Sequence, residues 1–166
     1  MPSYNIQKIA EILGGKLISA SSQSEITELT LDSRKILVPS TLLFFAIVGE
    51  RHNGHDYVND LFEKGVRNFV VSKINENFKS IEANFVVVDD GLNALQQLST
   101  YHRSQFNLPV IGITGSNGKT IVKEWLYQLI RQDKNIVRSP KSYNSQVGVP
   151  LSVWQINESN DLGIFE

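Results

Sequence analysis

The sequence predicts an α/β fold, in which a small N-terminal α/β domain is followed by the beginning of a second domain built on a parallel sheet. Apolar runs of strand length alternate with segments of helical periodicity along the 166 residues, a pattern typical of strands joined by helices. A short connector, Gln105 to Pro109, separates two such stretches. The second stretch contains a glycine-rich loop between an apolar strand and an amphipathic helix, a unit found in parallel α/β sheets.

The N-terminal stretch predicts short strands alternating with helices. The first helix carries apolar residues at helical spacing and a glycine stop: Ile6, Ile9, Ala10, Leu13 and Gly14-Gly15. The second helix is marked by Tyr57, Val58, Leu61 and Phe62 and ends near Gly65, and the third runs from Leu92 to about Arg103. Strands are predicted at residues 16–19, 28–31, 42–48, 69–72 and 85–88.

We place a domain boundary near residue 107, which gives domains 1–107 and 108–166. Beyond it, strands are predicted at residues 110–114, 136–138 and from 162 to the end of the sequence. The helix after the glycine-rich loop has an apolar stripe, expected to be buried as core: Val122, Trp125, Leu126, Leu129 and Ile130. Because the sequence stops within an apolar strand that no helix follows, we expect the second domain to be truncated.

Composition excludes several function classes. The formal net charge is −1, which disfavours nucleic acid or an anionic membrane as a partner, since both attract basic surfaces. The sequence has no cysteine, so disulfides and thiolate metal sites are excluded. Neither a membrane-spanning run nor a signal peptide is recognisable. These features favour a cytoplasmic location.

The strongest chemical signal is the segment Thr114-Gly115-Ser116-Asn117-Gly118-Lys119-Thr120. Glycines allow backbone N–H groups to surround a phosphate, and the following helix N-terminus adds partial positive charge. Lys119 would reach the terminal phosphates, and the Thr120 hydroxyl would bind Mg²⁺. The usual phosphate-loop pattern begins with a glycine, where this chain has Ile113. The alternative is an ordinary glycine turn with Lys119 and Thr120 on the surface.

This loop resembles the ATP loop of the Mur ligase family. Two N-terminal segments are also similar to that family: Asp32-Ser33-Arg34-Lys35, and Leu43-Phe44-Phe45-Ala46 with Gly49-Glu50-Arg51-His52-Asn53-Gly54-His55-Asp56-Tyr57. Two later segments are most similar to its D-Ala-D-Ala-adding member: Val122-Lys123-Glu124-Trp125 and residues 142–151. The chain departs from the family at Ile121 and Ser145, where a small hydroxyl residue and an asparagine are usual.

The resemblance implies a UDP-precursor-binding domain at 1–107 and the start of an ATP-binding central domain at 108–166. It implies an ATP-dependent ligase of peptidoglycan synthesis that joins D-Ala-D-Ala to UDP-MurNAc-tripeptide through an acyl phosphate. The cofactors would be ATP and Mg²⁺, the small-molecule substrates UDP-MurNAc-tripeptide and D-Ala-D-Ala, and the protein a monomer. On its own, this incomplete chain is expected to be inactive, because amide formation depends on the positioning of both substrates.

The site residues divide into three predicted groups. ATP would be bound by Gly115, Ser116, Asn117, Gly118, Lys119 and Thr120, with Lys119 also catalytic. The UDP precursor would be bound by Ser33, Arg34, Asn53, Gly54, His55 and Asn144. Mg²⁺ would be bound by Thr120 and by Glu166, where the family has an acidic ligand. Because the surrounding sheet is expected to be incomplete, we expect Glu166 to be frayed in this chain.

The histidines are not predicted to bind a metal, and three functional alternatives remain. His52 and His55 are not assigned to a metal, because no third ligand is evident and Asn53-Gly54 predicts a tight turn. His102, late in a helix, is assigned a capping or surface role. The alternatives to the D-Ala-D-Ala-adding enzyme are the lysine- or diaminopimelate-adding ligase, a UDP-sugar-binding module without catalysis, and an unrelated phosphate-loop kinase or nucleoside triphosphatase.

Overall fold

A computed structural model describes residues 3–21, 23–50, 52–78 and 80–166, so Arg51 of the family-like segment lies outside the described residues. The chain divides into two compact units, Ser3–Leu98 and Ser99–Glu166. The division falls inside a helix, ahead of the connector where the sequence places the boundary. The end of that helix packs with the second unit: Ser99 Oγ donates a 3.0 Å hydrogen bond to the Pro150 carbonyl. The assignment of functions to 1–107 and 108–166 stays a prediction.

The N-terminal unit is built on a mixed five-stranded sheet. Its strands are β2 (Lys16–Ile18), β4 (Glu28–Thr30), β5 (Leu42–Phe45), β6 (Asn68–Val71) and β7 (Asn84–Val87). They are arranged in the order β2-β7-β6-β5-β4, in which β4 to β7 are parallel and β2 is an antiparallel edge. Two short strands, β1 (Tyr4–Asn5) and β3 (Glu25–Ile26), pair separately. The carboxyl ends of β4, β5 and β6 therefore lie along one edge.

Helices and aromatic residues form the core of this unit. Its helices are α1 (Ile6–Leu13), a 3-10 turn (Gly54–Tyr57) leading into α2 (Val58–Glu63), and α3 (Gly91–Ser104), with shorter 3-10 turns at Pro39–Thr41 and Glu76–Phe78. α1 ends at Gly14 because this glycine adopts a left-handed conformation (φ 59°) and its N–H caps the Ala10 and Glu11 carbonyls. Phe69 and Phe85 stack with ring centroids 5.5 Å apart within the sheet core.

The second unit contains a three-stranded parallel sheet. Its strands, β8 (Val110–Gly112), β9 (Ile136–Arg138) and β10 (Leu162–Phe165), lie in the order β8-β10-β9, so the last strand of the chain is the central one. Its helices are α4 (Lys119–Ile130), which follows the glycine-rich loop, and α5 (Gly148–Val153). A small core joins the sheet to flanking segments through Leu108, Val137, Ile156 and Phe165.

The structure corrects two assignments of side chains to core and surface. Of the α4 stripe assigned to the core, Val122, Trp125 and Leu129 are 44%, 64% and 76% exposed, and Leu126 and Ile130 are only partly buried. The reason is that α4 turns the face carrying Lys123 toward β10 and a three-stranded sheet covers one face of the helix. His102, for which the sequence predicts a capping or surface role, is fully buried. Its Nε2 lies 2.9 Å from the Ile156 carbonyl, and its ring packs against Phe106 and Trp154. These contacts fix the end of α3 in the second unit.

The predicted α/β class is confirmed by the mixed sheet of the first unit and the parallel sheet of the second. Within the part of the chain that the structure describes, no helix combines the length and apolarity needed to cross a bilayer.

Candidate functional site

The glycine-rich loop leaves the carboxyl end of β8 and enters α4. Two of its glycines adopt positive φ, 147° at Gly115 and 78° at Gly118, which side-chain-bearing residues rarely adopt. Ile113, where the usual pattern has glycine, still belongs to the sheet: its N–H donates a 2.7 Å hydrogen bond to the Phe165 carbonyl. The turn therefore begins after Ile113, and a glycine is not needed there.

Lys119 and Thr120 open α4 with their side chains at the loop. Lys119 Nζ donates a 2.6 Å hydrogen bond to the Gly115 carbonyl, so the ammonium spans the loop. Thr120 Oγ1 donates a 2.9 Å hydrogen bond to Glu166 Oε2. The first N–H groups of a helix have no intrahelical partner. The loop therefore brings together backbone N–H donors, the Lys119 ammonium, the Thr120 hydroxyl and the Glu166 carboxylate.

Glu166 is ordered by its neighbours, which corrects the expectation that it is frayed. Its side chain is buried and its Oε1 lies 2.6 Å from Lys123 Nζ, while its backbone N–H lies 3.3 Å from Ser139 Oγ. Burial favours the neutral carboxyl, but hydrogen bonds from Lys123 and Thr120 outweigh it, so the pKa of Glu166 lies below its ordinary value. The reason is that β10 already lies between β8 and β9, so the sheet around it is formed.

The carboxyl ends of the three parallel strands bring the candidate groups of this unit to one edge. The loop at 114–120 follows β8, the segment 139–144 follows β9, and Glu166 follows β10. Ligands of open α/β sheets bind outside this edge. Asn144, predicted to contact the precursor, belongs to the segment after β9 and is exposed. Ser116 and Asn117 are exposed in the loop.

These residues fit a nucleotide phosphate with a magnesium ion. A Cβ added at Gly118 would meet no described atom within 4 Å, so the demand for glycine there is one of backbone conformation and the surrounding space is open. Thr120 and Glu166 present adjacent oxygen atoms, the ligand type that Mg²⁺ prefers, and Mg²⁺ commonly takes its remaining ligands from phosphates and water.

A second group of predicted residues follows β4 in the N-terminal unit. Arg34 donates two hydrogen bonds to the Asp32 carboxylate, 2.8 Å from Nε to Oδ1 and 3.0 Å from Nη2 to Oδ2. The side-chain hydrogen bond from Arg34 leads the effects that hold the pKa of Asp32 at about 2. The Arg34 side chain is nevertheless mostly exposed. Its position is thus set by Asp32, while guanidinium N–H groups face solvent. Ser33 lies in the same turn, partly buried.

The segment after β5 carries Asn53, Gly54 and His55. Asn53 Oδ1 accepts a 3.1 Å hydrogen bond from the His55 backbone N–H and also lies 2.9 Å from Nδ1 of the His55 ring. The other ring nitrogen, His55 Nε2, accepts a 3.0 Å hydrogen bond from the Ser72 N–H. A Cβ at Gly54 would lie 2.7 Å from the Ala46 Cα, so only glycine fits this close approach. His55 is 2% exposed. It fixes the segment against the end of β6, while its direct contact with a ligand stays a prediction.

Sequence reasoning missed Lys123 as a site residue. Its side chain is fully buried and donates to the Ser139 carbonyl at 2.8 Å, to the Lys141 carbonyl and to Glu166. A lysine inside an amphipathic helix is ordinarily solvated, and the apolar stripe of α4 predicted a different face of the helix to be buried. The available signal was its position three residues after Thr120, which places it on the same side of the helix.

Comparisons with known proteins agree with this geometry. The family model described as "Mur ligase family, catalytic domain" matches residues 25–103, and "Mur ligase middle domain" matches residues 113–166. Curated relatives named UDP-N-acetylmuramoyl-tripeptide–D-alanyl-D-alanine ligase include those of Bacillus subtilis, 32% identical, and Escherichia coli, 30% identical, each over 100% of this chain. The chain spans about a third of their length, 36% and 35% respectively.

Solved structures give the same result. A crystal structure of MurF from Acinetobacter baumannii matches with a TM-score of 0.89 and 27% identity, over 100% of this chain and 36% of that one. A MurF ligase from Thermotoga maritima, in complex with ADP, matches with a TM-score of 0.70 and 25% identity, over 84% of this chain and 31% of that one. Fold, loop geometry and sequence therefore agree, and the chain belongs to the Mur ligase family.

Proposed function

We propose that this chain forms the precursor-binding and nucleotide-binding parts of an ATP-dependent ligase that adds D-Ala-D-Ala to UDP-MurNAc-tripeptide. The observation that carries the proposal is the meeting of Lys119, Thr120 and Glu166 at the carboxyl edge of the β8-β10-β9 sheet. The choice of substrate is supported by the curated relatives, which are named for this reaction.

The nucleotide end of the reaction is assigned to the loop and to α4. Backbone N–H groups at 115–120 and the Lys119 ammonium would bind the phosphates of ATP. Mg²⁺, held by Thr120 and Glu166, would neutralise charge on the phosphates while the tripeptide carboxylate is activated. Lys119 is the catalytic residue of this group, because its charge matters most when negative charge spreads over the transferring phosphoryl oxygens.

The uridine end of the precursor is assigned to the carboxyl edge of the N-terminal sheet. Arg34 is the principal donor, since a guanidinium forms paired hydrogen bonds with phosphate oxygens. Asp32 holds Arg34 in place, and Ser33 offers a hydroxyl beside it. Asn53 and Gly54 form the neighbouring turn after β5, which His55 fixes. Asn144, in the second unit, is proposed as a further contact to the precursor.

The remaining parts of the proposal concern the setting of the reaction. The substrates are small molecules, and neither a nucleic acid nor a membrane is needed for the chemistry. We place the enzyme in the cytoplasm as a monomer, with ATP and Mg²⁺ as its cofactors.

The test is an activity assay on the complete reading frame that contains this chain. The purified enzyme is supplied with ATP, Mg²⁺ and UDP-MurNAc-tripeptide, with D-Ala-D-Ala as acceptor, and product is followed by mass spectrometry. A parallel reaction offers the shorter UDP-dipeptide precursor with lysine or diaminopimelate. We expect product in the first reaction. Product in the second reaction alone would contradict the assigned substrate, and turnover in neither would favour a binding module.

A further inference from the structure

We infer that Lys123 is a positioning residue that orients the Glu166 carboxylate for a divalent cation. This inference rests on the proposed nucleotide site and adds to it a residue outside the phosphate-loop motif. Lys123 would touch neither the nucleotide nor the metal, and would act through its contact with Glu166.

The first observation is that the two oxygens of Glu166 have different partners. Oε1 lies 2.6 Å from Lys123 Nζ, and Oε2 accepts a 2.9 Å hydrogen bond from Thr120 Oγ1. A buried ammonium that holds one carboxylate oxygen fixes the plane of the group and hence the direction of its second oxygen. The Lys123 contact therefore keeps Oε2 beside the Thr120 hydroxyl, where the two proposed Mg²⁺ ligands are adjacent.

The second observation is that Lys123 is itself fixed on every side. Its side chain is fully buried, and its ammonium also donates to the Ser139 carbonyl at 2.8 Å and to the Lys141 carbonyl. An ammonium has three donors, which the Ser139 and Lys141 carbonyls and Glu166 Oε1 accept, and Glu124 Oε1 lies 3.6 Å from Nζ as a further ion-pair partner. Lys141 has a positive φ of 52°, an unusual conformation for a residue other than glycine that turns the segment after β9 toward Lys123.

Packing alone gives no reason for a lysine at this position. Removing an ammonium from water is unfavourable, and an apolar side chain of similar volume often gives an equally stable or more stable protein. The neighbouring helix positions Val122 and Trp125 are apolar and exposed, whereas Lys123 is buried. The buried Lys123 ammonium is explained if its role is to orient Glu166, the proposed metal ligand to which it binds.

If Lys123 competed with the metal instead of orienting its ligand, replacing Lys123 would have the opposite effect on Mg²⁺ binding. If Lys123 competed with the metal for Glu166, its removal would release the carboxylate and strengthen Mg²⁺ binding. If it orients Glu166, its removal weakens Mg²⁺ binding. Replacing a residue that supports a metal ligand typically costs about 10- to 100-fold in metal affinity, so the two roles are well separated.

The experiment measures ADP affinity by calorimetry with and without Mg²⁺, and takes the ratio of the two dissociation constants as the Mg²⁺ effect. In the 166-residue chain, Lys123→Met should reduce this effect by about tenfold or more. Affinity for ADP without Mg²⁺, which depends on Lys119 and loop N–H groups, should stay close to the wild-type value. Lys134→Met, at an exposed lysine, is the matched control and should behave as wild type.

A double variant separates action through Glu166 from a general effect on folding. Glu166→Gln should reduce the Mg²⁺ effect, and adding Lys123→Met should reduce it no further, because the two residues act as one unit. If Lys123→Met does not fold, Lys123→Gln keeps an N–H donor for the carbonyls, lacks the charge, and should show the same loss. An undiminished or larger Mg²⁺ effect in a folded Lys123 variant would overturn the inference alone. No ADP binding by the wild-type chain would overturn the proposed nucleotide site and this inference with it.

Discussion

Thr120 Oγ1 donates a 2.9 Å hydrogen bond to Glu166 Oε2, which joins the first turn of α4 to the end of β10. The two residues are 46 positions apart in sequence, and the parallel sheet brings them together because β8 and β10 are neighbours. Hydroxyl and carboxylate oxygens at this distance are suited to share one Mg²⁺.

Gly118→Ala should destabilise the protein and weaken nucleotide binding. Gly118 has a φ of 78°, and an L-residue in the left-handed region costs about 1–2 kcal/mol. Gly112→Ala is the matched control, because an added Cβ there also meets no described atom within 4 Å and Gly112 has no positive φ. Thermal unfolding and ADP titration on both variants are the measurements. Equal effects of the two substitutions would contradict the conformational argument.

Lys119→Ala in the intact enzyme should lower kcat by about 10²- to 10³-fold, the usual loss for one electrostatic contact to the transition state. Precursor affinity should be almost unchanged, since the uridine end is assigned to the N-terminal unit. Turnover and UDP-precursor binding are measured on the same variant. Retained turnover would remove Lys119 from the mechanism, and an equal loss of precursor binding would contradict separate sites.

Stability should decrease as the pH falls below about 6.5, partly through His55. Burial, followed by the charge of Lys73, lowers the pKa of His55 in the folded protein. The unfolded chain therefore takes up the proton first, so the contribution is complete above about pH 6.5 and is lost as the pH falls toward the lower folded pKa. Protonation of Nε2 would also break the hydrogen bond that Nε2 accepts from the Ser72 N–H, because two N–H donors would then face each other.

The measurement for His55 is urea unfolding between pH 8 and pH 5. His55→Gln, which cannot take up this proton, should have a flatter pH dependence than wild type. Each proton contributes a slope of at most about 1.4 kcal/mol per pH unit. His102 also has a pKa lowered by burial, so part of the slope should remain. An identical slope in wild type and variant would exclude His55 as a contributor.

A polypeptide ending at Asn107 should unfold in one cooperative transition. Ser3–Leu98 is a compact unit with its own sheet and phenylalanine core. The end of α3 would lose the hydrogen bonds of Ser99 and His102 to the second unit, so its last turns should fray. Circular dichroism during urea unfolding, with hydrogen exchange along α3, is the measurement. A non-cooperative transition would show that the N-terminal unit depends on the rest of the chain.

Sequence periodicity predicted the elements that bury a regular apolar face. The four apolar residues of α1 are all buried, and β9 has the predicted bounds, Ile136–Arg138. The short strands β1 and β3 and the helix α5 were missed, since strands of two residues and a helix of six have too few positions to show a period. Strand β5 ends at Phe45, earlier than predicted, because Ala46 and Ile47 already begin the close approach to Gly54.

The candidate site was predictable only where a local motif specifies its chemistry. The loop at 114–120 could be recognised from sequence because the residues that shape it are contiguous. Lys123 and Ser139 reach Glu166 through strand order and helix rotation, which the apolar stripe of α4 does not reveal. The rotation of α4 that leaves Trp125 exposed is the same rotation that buries Lys123. One wrong assignment and one missed site residue thus have a single physical cause.

The most direct test of the central claim is ADP titration of the 166-residue chain, with and without Mg²⁺, on wild type and Thr120→Val. Valine keeps the shape of threonine and removes the hydroxyl that bonds to Glu166. We predict that wild type binds ADP and binds it more tightly with Mg²⁺, and that Thr120→Val retains Mg²⁺-free binding but loses the tightening. No binding by wild type, or the same Mg²⁺ effect in both proteins, would contradict the assignment of this loop as a magnesium–nucleotide site.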